Sequence, residues 1–564
     1  MKREYMHWIF MLTMLAGMLG VAQARTIPAQ QTITGLGSIS FPTSTKSADA
    51  QTAFARGMLL LHLFEYDDAA KAFAQAEQTD PGFAMAYWGE AMTHNHGIWN
   101  QLDAKAGRAA LAKLAATPQT RAAKAATARE KAYLAAVEIL YDDKGDKKQR
   151  DASYSDAMQQ LAKNNPHDNN AQLFAALALM GRSEGVRDVP VYLRAGVIAK
   201  ASFRVNPQNP GAAHYWIHSM DDPEHAAGAL EAARALSKIA PDAGHAQHMT
   251  SHIFMALGMW DDVAAANENA MRVVDAHAHA EGQPLIECGH YDYWLEYTYF
   301  QQGRYAAAEN TLQACRDSGQ QALAVADAHP EATGSYVVSG KKLSRDKYAQ
   351  RLQGMLIDMR TTAVIESGDW NGMAVKMPLD TTGLGTERAW NVFADGYAAG
   401  MRGDEADAQA QLAAISAVIK SSVGDPDVAQ QVIYMGILKD ELRGLIDVRN
   451  GNSEAGIAAI RTAAERYDAL PFDFGPPVPI KPPRELLGEQ LLAQGKAVEA
   501  QTEFEAALKL APNRALSMLG LARAQSAAGD NKAASATYRQ LIAIWHAADA
   551  DLPALIEARK YLAK

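Results

Sequence analysis

RELLGEQLLAQGKAVEAQTEFEAALKLAPN, residues 484–513, reads as two short helices meeting at a turn. Leu487 and Gly488 stand in the first helix, Gly495 at the turn, Ala500, Phe504 and Ala507 in the second, and Pro512 at its end. Small residues let the two helices approach, and the large apolar ones fill the seam between them. Glycine suits the turn, and proline ends the second helix. One such hairpin buries too little apolar surface to stand alone, so it calls for neighbours of the same kind.

Those neighbours recur at a period of 34 residues. A frame starting at Ala50 puts Gly57, Ala69, Phe73, Ala76 and Pro81 at the corresponding positions. Further units start at Ala84, Pro210, Gly244, Gly289, Gly354, Ala389, Ile437, Lys481 and Ala515. Two degenerate units lie between Lys124 and Asn209, with an insertion from Ser183 to Pro190. The pattern resembles the tetratricopeptide repeat. The expected fold class is therefore all-α, a right-handed solenoid of helical hairpins. Hydrophobic content of 48%, much alanine and few β-branched runs agree with it. At 564 residues the chain is too long for one ordinary core but suits an array.

The first residues read as an export signal over 1–24: Lys2 and Arg3, an apolar stretch from Trp8 to Val21, then Ala22-Gln23-Ala24 before Arg25. This predicts a periplasmic or secreted protein, and no later run is long and apolar enough to span a membrane. An extended arm is expected over 25–49 and insertion-bearing repeats over 50–209. Histidine-rich repeats occupy 210–320 and central repeats 321–470. A proline-rich connector over 471–484 and a final pair over 485–564 complete the chain. The formal charge of −10 becomes −11 without residues 1–24, and an acidic chain lacking a basic tract argues against nucleic acid as partner. Cys288 and Cys315 are the two cysteines. Folding the hairpin at Gly303 brings them within about one helical turn, roughly 5 Å, so a disulfide between them is feasible.

The histidines obey the repeat frame. His214 and His218 hold positions 5 and 9 of the Pro210 unit, and His248 and His252 hold the same positions 34 residues on. His245 and His290 are each at position 2 of their units, while His62 and His96 share position 13, with His94 adjacent. In the tetratricopeptide family these positions of the first helix line the concave groove, which the resemblance implies here too. An i,i+4 histidine pair can clamp one ion, and the neighbouring helix can complete the set for copper or zinc, or for iron or nickel. His214, His218, His248 and His252 are the leading ligands, His245 and His290 the next. His62, His94 and His96 form a possible second cluster. The bland alternative is a groove whose histidines bond to their neighbours or read a bound polypeptide's carboxylates, with a grip that changes near pH ~6.5.

The same frame places Met85, Trp88, Met92, Tyr293, Tyr297, Trp390, Phe393 and Tyr397 at groove positions, as walls for a peptide, a protein or a small organic ligand. Asp221, Asp222 and Glu224 are either partners of the histidines or caps of the next turn. Asp292 and Glu296 stand likewise. His214-Tyr-Trp-Ile-His218 lacks the glutamate of H-E-x-x-H, so zincin chemistry is not indicated, and no Ser-His-Asp order or phosphate loop is evident. The runs HYWIHS from His214, PDAGHAQHMTSHI from Pro241 and CGHYDYW from Cys288 resemble a group of exported bacterial tetratricopeptide-repeat proteins. That group shares a GH…HM-x-x-HI core, and AMAYWG from Ala84 and the proline-rich element before Gly488 extend the likeness. It implies an architecture and a preferred site but no reaction, leaving a metal-dependent oxidoreductase or hydrolase beside a non-catalytic binding scaffold.

Overall fold

A Cβ added at Gly488 or Gly520 would lie 3.0 or 2.3 Å from the ring of Phe504. Phe504 thus enters a slot that only glycine leaves open, formed by the first helices of its own unit and the next. The same joint occurs at the other end of the chain, where Gly57 and Gly89 close on Phe73 at 2.7 and 2.4 Å. Repeating it stacks the hairpins in sequence.

The computed structural model describes residues 30–282, 288–331, 337–338 and 341–564. The expected export signal and residues 25–29 of the arm lie outside them. Among the described residues there are 26 α-helices and three two-stranded ribbons. Helical hairpins include Ala48–His62 with Tyr66–Thr79, Gly244–Ala256 with Trp260–Ala280, His290–Gln301 with Tyr305–Ala328, and Pro483–Ala493 with Ala497–Leu510. The fold is a TPR-like all-α solenoid. Among the described residues no helix is long and apolar enough to cross a membrane.

The described part of the N-terminal arm forms an antiparallel hairpin, Gln31–Ile33 with Gly37–Ile39. It is docked on the histidine-bearing units: Ser38 N–H donates to the Gln208 carbonyl (2.8 Å) and Asp242 N–H to that of Gly35 (3.1 Å). Its continuation sends Phe41 into the core, where it meets Trp88 and Tyr133.

The C-terminal units are tied to the centre by buried charge. Arg514, 0% exposed, pairs with Glu485 (2.8 Å) and Glu366 (2.6 Å) and donates to the Tyr297 hydroxyl (3.0 Å). Lys481, at the end of the proline-rich connector, pairs with Glu485 (2.9 Å) and Glu489 (2.6 Å). Cys288 and Cys315 are joined by a disulfide, which fastens the start of His290–Gln301 to Tyr305–Ala328.

Candidate metal centre

Three successive first helices bring the histidines together. Asn209 caps Pro210–Ser219 by accepting from Gly211 N–H (3.0 Å), with proline at the first helical position, where its missing N–H costs nothing. This helix carries His214 and His218. Gly244–Ala256 carries His245, His248 and His252, and His290 opens His290–Gln301. Asp292 accepts from Gly289 N–H (2.8 Å), so it serves as the cap of this last helix.

The six rings form two triads. The ligand atoms of His214, His218 and His245 all lie within 4.8 Å of one another, as do those of His248, His252 and His290. Within each, two members are buried and one, His245 or His290, sits toward the edge. In the second triad, the Nε2 atoms of His252 and His290 each stand 3.1 Å from that of His248. Nitrogens bound tetrahedrally at 2.0–2.1 Å to one ion are about 3.3–3.4 Å apart, so this spacing fits a shared metal. In the first triad the Nε2 atoms of His214, His218 and His245 are all buried without a hydrogen-bond partner. Three buried ring nitrogens without a partner, on side chains whose ligand atoms lie this close, need an explanation.

Tautomers are fixed by the partners. His214 Nδ1 faces the His62 carbonyl (2.7 Å), which can only accept, so Nδ1 carries the proton and Nε2 a lone pair. His252 Nδ1–H donates to Asp221 (2.5 Å), which turns its Nε2 toward His248. Asn267 donates its Nδ2 to the Val263 carbonyl (2.9 Å), which turns its oxygen to His248 Nδ1 (2.7 Å). His248 Nε2 therefore carries a lone pair that the Nε2 atoms of His252 and His290 both face at 3.1 Å, an arrangement that a shared cation satisfies. Orienting partners of this kind are what metal-binding imidazoles require. Burial holds the rings neutral, the ligating form: it lowers the pKa of His214 to about 3 and of His290 to about 4, and pushes His218, His245 and His248 well below the usual value.

Aromatic side chains enclose both triads. Phe64 lies 4.4, 5.6 and 5.8 Å, centroid to centroid, from His214, His218 and His245, and Trp99 borders His218 and His245. Trp294 stands 4.7 and 4.5 Å from His248 and His252, and Phe474 of the proline-rich connector packs on His252 at 5.1 Å. A cleft partly open to solvent is lined by Asp221, His252, Trp260, Tyr297, Phe472 and Asp473 among others, and by none of the other five triad histidines.

The remaining candidates fall elsewhere. His62 spends both ring nitrogens: Nε2–H donates to Asn170 Oδ1 (3.1 Å) and Nδ1 accepts from Tyr215 OH (2.9 Å). The Asn170 orientation is set by its own donation to the Ser40 carbonyl (2.9 Å). His96 stacks on Tyr66 at 3.9 Å and donates to the Thr93 carbonyl, and the His94 carbonyl accepts from Asp103 N–H. These three do not form a ligand set among the described residues, a correction whose cause is competition from nearer partners. Asp222 caps its own turn through Glu224 N–H and pairs with Arg187 (2.6 Å).

The apolar side chains at the other groove positions are covered by packing. Met85, Trp88, Met92, Tyr297, Phe393 and Tyr397 are buried, and Tyr293 and Trp390 half-buried. The chain's own additions fill this face. Phe41 covers Trp88, Trp370 covers Tyr397, and the connector brings Phe474 and Lys481 inside.

Phe64, Trp99, Asn267 and Trp294 are the members that sequence reasoning missed, and for one of them a signal was present. Position 15 of the units, at the hairpin turn, is glycine with positive φ at Gly258, Gly303, Gly495 and Gly529. In the first unit it is Phe64, whose φ is 60°.

An all-α repeat solenoid with paired histidine triads is thus the class that fold and site define. A family profile for the tetratricopeptide repeat matches residues 491–550. No curated protein matches the chain. Among solved structures the chain is similar to the human IFIT1 dimer with m7Gppp-AAAA, at 13% identity over 90% of this chain and 92% of that one, TM-score 0.31. It is also similar to the APC/C Cut9–Hcn1 hetero-tetramer (11% identity, 92% and 78%, TM-score 0.30) and yeast Tom70 (10%, 92% and 89%, TM-score 0.24).

Proposed function

We propose that this chain is an exported helical-repeat protein that binds a transition metal through its histidine triads and uses it in metal-dependent chemistry, as an oxidoreductase or hydrolase. The observation that carries the reading is the convergence of ring nitrogens: three Nε2 atoms buried without a hydrogen-bond partner in the first triad, and in the second two Nε2 atoms each 3.1 Å from that of His248, whose own Nδ1 proton is committed to Asn267. All six ligands are imidazoles, which suit copper and zinc ahead of iron and nickel. Each triad supplies three protein ligands, and a four-coordinate ion held by three keeps a position for water or substrate, the mark of catalytic rather than structural sites. The disulfide agrees with an oxidising compartment, periplasmic or extracellular.

Elemental analysis of protein purified without a histidine tag tests this. Near-stoichiometric copper or zinc that disappears in the His248→Ala/His252→Ala double variant supports the metal reading. Metal-free protein that retains a polypeptide partner overturns it in favour of a binding scaffold.

A further inference from the structure

Resting on that reading, we propose that the six histidines hold two ions as a pair, one in each triad between flanking aromatic rings, with open positions that take a small anionic ligand between them. Each triad is complete by itself. Neighbouring ring centroids within the first are 4.8 and 5.1 Å apart and within the second 5.0 and 4.7 Å. Rings about 3 Å from a shared ion at tetrahedral angles stand about 5 Å apart, so each triad matches one ion of its own. Between triads the nearest pairs, His218 with His252 and His245 with His248, are 6.0 and 6.2 Å apart. Six imidazoles in this arrangement do not close on a single centre.

The triads are nevertheless neighbours. Gly244–Ala256 serves both, giving His245 to one and His248 and His252 to the other. His245 and His248 are separated by less than one helical turn, which places the two ions on the order of 5 Å apart along that helix. The aromatic walls stand outside the pair: Phe64 and Trp99 flank the first triad, Trp294 and Phe474 the second.

Charge then specifies the ligand. Two divalent ions bring four positive charges to six imidazoles among Phe64, Trp99 and Trp294. Asp221, which accepts from His252, and Glu65, which accepts from the His245 N–H (3.0 Å), offset only part of it. Charge left unbalanced among apolar side chains is costly, and hydroxide or another small anion shared by both ions offsets the remainder.

Copper(II) loading of the full chain tests the pair. The expected result is about two coppers per chain, an EPR spin count well below the copper content from coupling between the ions, and azide binding that saturates near one per two coppers. His245→Gln and His290→Gln alter the least buried ligand of each triad and spare the core; each is expected to leave about one copper with full, uncoupled EPR intensity. One copper per wild-type chain, lost in both variants, would overturn the pair while leaving the metal reading intact. Two coppers of full intensity, each taking its own azide, would also overturn it. Absence of copper binding would sink both.

Discussion

The Phe64 ring lies 4.4 Å from that of His214, tilted by 57°, while its own backbone occupies the left-handed region at φ 60°. The helix Ala48–His62 ends there in a reciprocal pair of bonds, Phe64 N–H to the Leu61 carbonyl and Glu65 N–H to that of Leu60. This termination favours glycine at the position Phe64 holds. A bulky residue kept there is strained, and strain of this kind collects at functional sites. Here the ring of that residue walls the first triad.

Replacing Phe64 therefore separates backbone strain from the wall. Phe64→Gly is expected to be more stable than Phe64→Ala by about 1 kcal/mol in urea unfolding of metal-free protein, since only glycine is unstrained there. Both variants should bind metal more weakly at the first triad. Equal stability of the two would show that the turn carries no strain.

Asp221 orients His252 without itself belonging to a triad. Asp221→Asn should lower metal affinity at the second triad by roughly 10–100-fold in a chelator competition, and leave the first unchanged. An equal loss at both triads would mean that the variant disturbs the fold as a whole.

His62, outside both triads, adds its own share to the pH dependence of the metal-free protein. Burial lowers its pKa from 6.5 to about 4, so between these values the unfolded chain binds more protons than the native one. Stability is complete above pH 6.5 and falls as pH drops toward 4. At about 1.4 kcal/mol per unit the loss approaches roughly 3 kcal/mol from this residue. His62→Gln should flatten that part of the stability curve, read by denaturant melts at pH 7, 5.5 and 4.5.

Arg514 and Glu485 are fully buried partners. Removing one charge, as in Arg514→Met, strands carboxylates in the core and should cost about 3–5 kcal/mol. Hydrogen exchange should then rise first in the C-terminal units, which this network joins to Tyr297.

Reducing the disulfide opens a link between cysteines 27 residues apart, for which the chain-entropy account gives roughly 3–4 kcal/mol of stability. Since Cys288 lies two residues before His290, Cys288→Ser/Cys315→Ser should also weaken metal at the second triad more than at the first. Unchanged thermal stability on reduction would count against the link.

The fold was largely legible in the sequence because a repeat states its rule many times. Gly488 and Phe504 obey the same contact logic as Gly57 and Phe73, so each unit checked the others. The six histidines were legible for the same reason: 34-residue displacement of His214 and His218 onto His248 and His252 is periodicity applied to polar residues. His62 and His96 share that periodicity, yet Asn170, Tyr215, Tyr66 and Thr93 engage them, and no spacing along the chain reveals such partners.

By itself, then, the sequence determined the hairpin array and which imidazoles share a face, because both arise from local helical geometry. Tertiary structure alone decided that the groove is filled by Phe41 and Phe474, that the rings divide into two triads, and which nitrogen of His214 and His248 stays unprotonated. These depend on contacts such as Asp221 with His252 and Phe64 with His214, between residues from about 30 to 150 positions apart, and such contacts form only when the stacked units close on one another.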